Sequence, residues 1–315
     1  MTRQGVRHGA IMRSTATPGR TTQDERRAAY EEGARRNRSI VWAKFLRNRL
    51  AAVSAIAVIT LVLLAIFAPW VAPRDPLYID MAQKFAKPGE AGFLLGADEL
   101  GRDILSRLLH AGRVSLSVGL MTALIAVLVG SILGALAGYY GGVIDAAIMR
   151  LVDILLSMPT IFLLLALAAF LKPTLFAITL IIGLNSWMSV ARMVRGQILS
   201  IKQQEFIAAA RAMGASDRRL IFRQLLPNAL APVLVAATLN VATAILLESS
   251  LSYLGYGIQP PTASWGNMLN NAQTYVLYAP WVAVYPGIMI TLTVLGFNFA
   301  GDGLRDALDP RLTLG

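Results

Sequence analysis

The sequence predicts an all-α membrane protein of six transmembrane helices, with N- and C-termini on the cytoplasmic side. Three observations carry that expectation. Of the 315 residues, 56% are hydrophobic and only 15% charged, whereas a soluble domain has about 25% charged residues. Six apolar stretches, near 50–69, 114–137, 151–171, 175–195, 229–250 and 281–300, approach the ~20 residues that cross a bilayer core as helix. The basic residues, finally, crowd two of the segments between those stretches.

In chain order, residues 1–47 read as a basic cytoplasmic tail, within which Asp24–Arg38 suits an exposed helix, with a segment that orders only on meeting lipid or a partner as the alternative. Residues 1–49 hold twelve lysines and arginines, and about 48 polar residues before the first span exceed any signal-peptide charged region. The first transmembrane helix covers 48–72, and 73–112 reads as an extracytoplasmic loop with a short helix. A core domain follows over 113–303, interrupted by a cytoplasmic loop at 197–228. Residues 304–315 form a cytoplasmic C-terminal tail. The connection from Arg192 to Arg223 holds seven basic residues, while 255–280 holds none. The positive-inside rule then places the tail and the 197–228 loop together in the cytoplasm. Pro159, Pro232 and Pro286 fall in or near spans, where kinks are tolerated.

Composition also excludes chemistry. Without cysteine there are no disulfides, thiolate metal sites or cysteine nucleophiles. Only two histidines, His8 and His110, are present, which leaves no multi-histidine metal site. No catalytic residue or metal ligand is expected. The net charge of +11 is explained by topology and by affinity for anionic membrane lipid, not by nucleic acid, since no basic groove or stacking platform is visible.

The segment 205–228, EFIAAARAMGASDRRLIFRQLLPN, is polar and basic between two spans, yet it reads as folded. Glu205 opens it. Ala208, Ala209 and Ala210 favour helix and leave a slim face. Gly214 suits the left-handed position that ends a helix. After Ala215, Ser216 and Asp217 can cap a second helix that carries Arg218, Arg219 and Arg223. Leu220, Ile221, Leu225 and Leu226 give it an apolar side, and Pro227 is expected to stop it. A helix–turn–helix across the cytoplasmic face results, where an ordinary re-entry loop is the alternative.

This run resembles the EAA loop of ABC-importer permeases. Ala209 and Ala210 match the two alanines, Gly214 the glycine, and Leu226–Pro227 the closing pair. Ala208 stands in place of the glutamate and Gln224 in place of the isoleucine, so no ion pair of that glutamate transfers. Gly96–Leu116, Glu248–Leu269 and Phe297–Leu312 resemble blocks of the dipeptide/oligopeptide/nickel subfamily. The resemblance runs from about residue 45 to the C-terminus and implies a type I importer permease. It implies a second related permease, two cytoplasmic ATPase subunits that grip the 205–227 loop, and an extracytoplasmic substrate-binding protein. The chain has no G-x-x-x-x-G-K-[ST] loop, so ATP and Mg²⁺ are expected on the ATPases and no cofactor on this chain.

Polar residues inside the spans come next. Glu248 is expensive in lipid and must face protein or water, as a pathway group or a structural hydrogen bond. Asn240 and Thr243, placed toward the same face, are further translocation-pathway candidates, although Asn and Thr also glue helices. Asp153 and Arg150 suit a local pair. Gly130, Gly134 and Gly138 mark a close helix contact, within the subunit or with a sister permease. Trp265, Trp281, Tyr275, Tyr278 and Tyr285 fit an interfacial belt. A stand-alone secondary transporter or channel is the alternative function, but the halves show no inverted repeat. An intramembrane enzyme would need a nucleophile elbow or histidines within a span.

Overall fold

The computed structural model describes residues 41–308. The expected helix at Asp24–Arg38 and the end of the C-terminal tail lie outside them. The described chain is helical, without a named strand. Five helices are long and apolar enough to cross a membrane: α1 (Arg49–Ile66), α2 (Ile104–Tyr140), α5 (Leu175–Ile201), α8 (Leu230–Tyr253) and α10 (Trp281–Leu308). The sixth expected span is not one straight helix. It is split into α3 (Gly142–Ser157) and α4 (Thr160–Phe170), bent by 91° at the break. Pro159 is the cause: it lacks an N–H and pushes the preceding residue out of the helical region, and Met158 has extended backbone at φ −85, ψ 136.

Helix boundaries also depart from the apolar stretches. Hydropathy marks 114–137, yet α2 spans 37 residues, Ile104–Tyr140. Its start is set by a polar cap, with the Asp103 carboxylate accepting from the Ser106 N–H at 2.7 Å. Just before it, Asp98 accepts from the Arg102 N–H and, at 2.7 Å, from its guanidinium. Glu99 pairs with the same Arg102 at 2.8 Å. These buried charges are paired, and they close the 98–103 turn that feeds α2. At the other terminus, α10 runs on through Leu308, past the 304 boundary, because its Gly301–Gly303 stretch still packs on Thr238 and Ala51.

The 255–280 segment is not a plain polar loop. It contains α9 (Trp265–Ala272), opened by a capping box between Ser264 and Asn267. Trp265, expected at the membrane interface, is instead 1% exposed, and its indole donates to the Leu108 carbonyl at 3.1 Å. Loop length gave this burial no signature, because the partner lies 157 residues away.

The central contact is α2 against α5. A Cβ on Gly130 would lie 2.7 Å from the Trp187 carbonyl oxygen, one on Gly138 2.9 Å from Ile198, and one on Gly134 against the Ala191 backbone. The glycine stripe therefore serves packing inside this chain. Bringing two backbones this close maximises dispersion contacts where lipid supplies no hydrophobic drive. Gly134→Leu is expected to lower the unfolding midpoint in detergent, since overpacking costs ~1–3 kcal/mol or more. Gly196→Ala, with nothing within 4 Å of the added carbon, should not lower the midpoint and should raise it slightly, since alanine favours the helix interior over glycine.

Candidate functional site

The 205–228 segment folds as two short helices, α6 (Glu205–Ala212) and α7 (Asp217–Leu220). Between them Gly214 has φ +80, a left-handed geometry that side chains resist. Gly214 N–H donates to the Arg211 carbonyl at 3.0 Å, and Ala215 N–H to the Ala210 carbonyl at 3.1 Å. These two bonds make a Schellman cap. Ala210 is buried and Ala215 half-buried in the same apolar cluster. The turn is thus fixed by backbone bonds and a small apolar seat.

Two expected local bonds are absent and replaced by longer-range ones. Ser216 sits at the N-cap of α7 but makes no side-chain cap bond. Asp217 instead accepts from the hydroxyl of Tyr139, at 2.5 Å, in the last turn of α2. Lys202 donates to the Tyr139 carbonyl at 2.5 Å, and Arg211 lies 3.5 Å from its hydroxyl. A carboxylate therefore completes a group that two cations already approach, where a cap bond would have satisfied one N–H only. Asp153 likewise pairs with Arg192 of α5 at 2.7 Å instead of Arg150. Asp145 of α3 grips Arg195 with two 2.5 Å bonds, the planar fork that arginine favours.

Pro227 does not end the second helix. Ile221–Leu225 form a π-helical turn, after which Leu226–Asn228 continue toward α8. Proline cannot donate to the carbonyl four residues back, and its ring crowds it. The wider turn relieves that clash, and Leu226 N–H reaches the Ile221 carbonyl. Leu220, Ile221 and Leu225 face the core, as expected, while Leu226 is half-buried and Pro227 exposed. Glu205, Phe206, Ala209, Met213, Ser216, Asp217 and Arg218 are exposed. Phe206, Ala209 and Met213 recur at helical spacing and form an outward apolar ridge, with Met213 81% exposed. Gln224 Oε1 is buried with no partner among the described residues.

The three pathway candidates do not meet. Glu248 is fully buried, accepting from Ser252 at 2.7 Å and Ser115 at 3.1 Å. Ser115 in turn accepts from the Trp265 N–H at 3.2 Å, so Glu248 binds α8 to α2 and to the start of α9. Thr243 is exposed and Asn240 half-exposed. Each bonds only to a carbonyl of its own helix, Leu239 and Ala236 respectively. The offset of five residues turns Thr243 about 140° from Glu248 at 100° per residue. Tyr139, Arg195 and Lys202 were not found from sequence; only their place near helix ends hinted at them.

A family model described as binding-protein-dependent transport system inner membrane component matches residues 130–314. A second, the N-terminal TM domain of oligopeptide transport permease C, matches 38–88. The chain is 42% identical to a di/tripeptide transport system permease protein of Pseudomonas aeruginosa over 86% of this chain and 91% of that one. It is 43% identical to a glutathione transport system permease protein of Escherichia coli, over 86% and 89% respectively. Among solved structures, an inward-facing MetNI methionine ABC transporter superposes with TM-score 0.55 at 23% identity, covering 65% of this chain and 98% of that one. That likeness concerns the fold.

Tyr139→Phe should loosen the loop without unfolding the bundle. Losing one hydrogen bond worth about 1 kcal/mol speeds amide exchange roughly fivefold across 205–220, read by hydrogen–deuterium mass spectrometry. Unchanged exchange would show that the tether does not hold the loop.

Proposed function

The chain belongs to the binding-protein-dependent transport system inner membrane component family, and from that premise we propose that it forms half of a peptide path whose 205–227 loop couples to separate ATPases. It is a multi-pass permease of the bacterial inner membrane. In this reading the loop and both termini face the cytoplasm. A second related permease completes the path, two cytoplasmic ATPase subunits hold ATP and Mg²⁺, and an extracytoplasmic binding protein delivers the solute. Membrane lipid surrounds the apolar flanks. The cargo is a di- or oligopeptide or a similar small solute, supported by the di/tripeptide and glutathione systems that the relatives are named for.

One observation supports this most: an outward ridge mounted on a rigid turn that is joined to the membrane helices at both ends. Phe206, Ala209 and Met213 offer apolar contact, flanked by Glu205, Ser216 and Arg218. Ala208 is exposed, so the position where the family pattern has glutamate presents a methyl group to the ATPase. Behind the ridge, Asp217 and Lys202 tie the loop to α2 through Tyr139. The π-turn leads through Leu226–Asn228 and one turn residue, Ala229, into α8. Closure of the ATPases then moves α5 and α8 together as a lever between inward- and outward-open states. Asn240 and Thr243 are assigned to the path, while Glu248 pins helices together at its end.

Gly214→Pro tests the loop. Proline fixes φ near −65°, which is incompatible with +80, and removes the N–H that bonds Arg211. Membrane insertion should persist while ATP-driven uptake in proteoliposomes is lost. Normal uptake would refute the coupling role. Crosslinkers at Ala215 or Arg218 should capture the ATPase subunit, and capture of the binding protein instead would invert the topology.

A further inference from the structure

At the end of α2 away from Tyr139, two clefts meet beside His110. One, of about 290 Å³, is lined by Leu77, His110, Arg113, Val114, Thr262 and Ala263, among others. The other, of about 540 Å³, shares Pro76, Leu77 and His110 and adds Arg74 and Asp75. The wall at Thr262 is built in advance of any ligand. Asn267 donates to the Thr262 carbonyl at 2.7 Å, and Trp265 is bonded to Ser115 and to Leu108. These bonds fix the 262–265 segment against α2.

Arg113 is exposed and has no carboxylate partner among the described residues. Its depth makes that unusual. The helix is about 55 Å long against a hydrocarbon core of ~30 Å. Residue 113 lies about 14 Å from the helix start, close to the membrane boundary. A guanidinium is not left facing lipid there without an anion or water, and its planar fork matches a carboxylate. His110 is one turn away, on the same side. Its Nδ1 lies 2.9 Å from the Ser106 carbonyl oxygen, which can only accept, so Nδ1 holds the proton. In the neutral ring Nε2 is then an acceptor.

A carboxylate binder beside a hydrogen-bond acceptor is the complement of one chemical unit, an amide N–H followed by a free carboxylate. We propose that the His110–Arg113 cleft is a subsite for the C-terminal end of a peptide. Arg113 takes the carboxylate, and His110 Nε2 accepts from the N–H of the last residue. A lipid phosphate offers the same anion but lacks that N–H. The subsite rests on the peptide-import reading and adds where the peptide is first held on this chain.

The test uses the full chain assembled with its transporter partners in phosphatidylcholine nanodiscs. Arginine modification by phenylglyoxal is followed at residue 113 by mass spectrometry. Arg113 should react, dialanine should protect it, and dialanine amide should protect about tenfold less, as expected for losing a charge-assisted hydrogen bond. Equal protection by both, or none, overturns the subsite. So does an Arg113 that reacts in detergent but is blocked in nanodiscs before any peptide is added, because a lipid headgroup then occupies it. In proteoliposomes Arg113→Gln should raise the half-saturating dialanine concentration about tenfold, and an unchanged value overturns the assignment. Protection without any peptide uptake would sink the peptide-import reading and leave the subsite standing; uptake without protection would do the reverse.

Discussion

The approach of α2 to α5 at Gly130, Gly134 and Gly138 is the constraint on which the rest of the structure depends. Any side chain at these positions would overlap the Trp187 carbonyl, the Ala191 backbone or Ile198. In lipid, where burying an apolar side chain gains little, this contact supplies adhesion through close packing alone. It also fixes register. With Gly138 seated on Ile198, the end of α2 lies beside Lys202, and the start of α3 lies beside Arg195. The Tyr139–Lys202 and Asp145–Arg195 bonds follow from that placement.

Because α2 is long and continuous, it carries two polar assemblies at opposite ends. At one, Ser115 joins Glu248 to the Trp265 backbone, and every partner is buried. A carboxylate removed from water is tolerated only with such bonds, so α8 and the start of α9 are held in a single arrangement. At the other end Tyr139 gathers Asp217, Arg211 and Lys202 around the loop. The cleft at His110 and Arg113 and the Tyr139 tether that holds the loop thus lie on one helix, about 40 Å apart along its axis at 1.5 Å per residue.

Much of the fold was legible in the sequence, for physical reasons specific to each element. The spans were readable because backbone polarity forces helices on any long apolar segment in lipid. Gly214 was readable because few residues accept its φ, and the buried side of α7 because leucines recur at helical spacing. Other features had no local signature. The break at Pro159 looked like a tolerable kink, since hydropathy does not distinguish a bent pair from one span. Asp217 looked like a cap because the capping rule refers only to neighbours in sequence, while its partner is Tyr139, 78 residues away. Trp265 looked interfacial because composition does not reveal the Leu108 carbonyl that receives its indole N–H.

The sequence by itself determined the membrane class, the crossings, the family resemblance and the turn at Gly214. Each of these depends on hydrophobicity or backbone geometry, which act within a few residues. Only the tertiary structure decided that the glycine stripe packs inside the chain and that Glu248 is sealed among serines. It alone placed Pro227 after a π-turn and left Arg113 at a cleft with no carboxylate partner among the described residues. These outcomes depend on which helix lies opposite which, and that pairing is set by the combined fit of surfaces far apart in the chain.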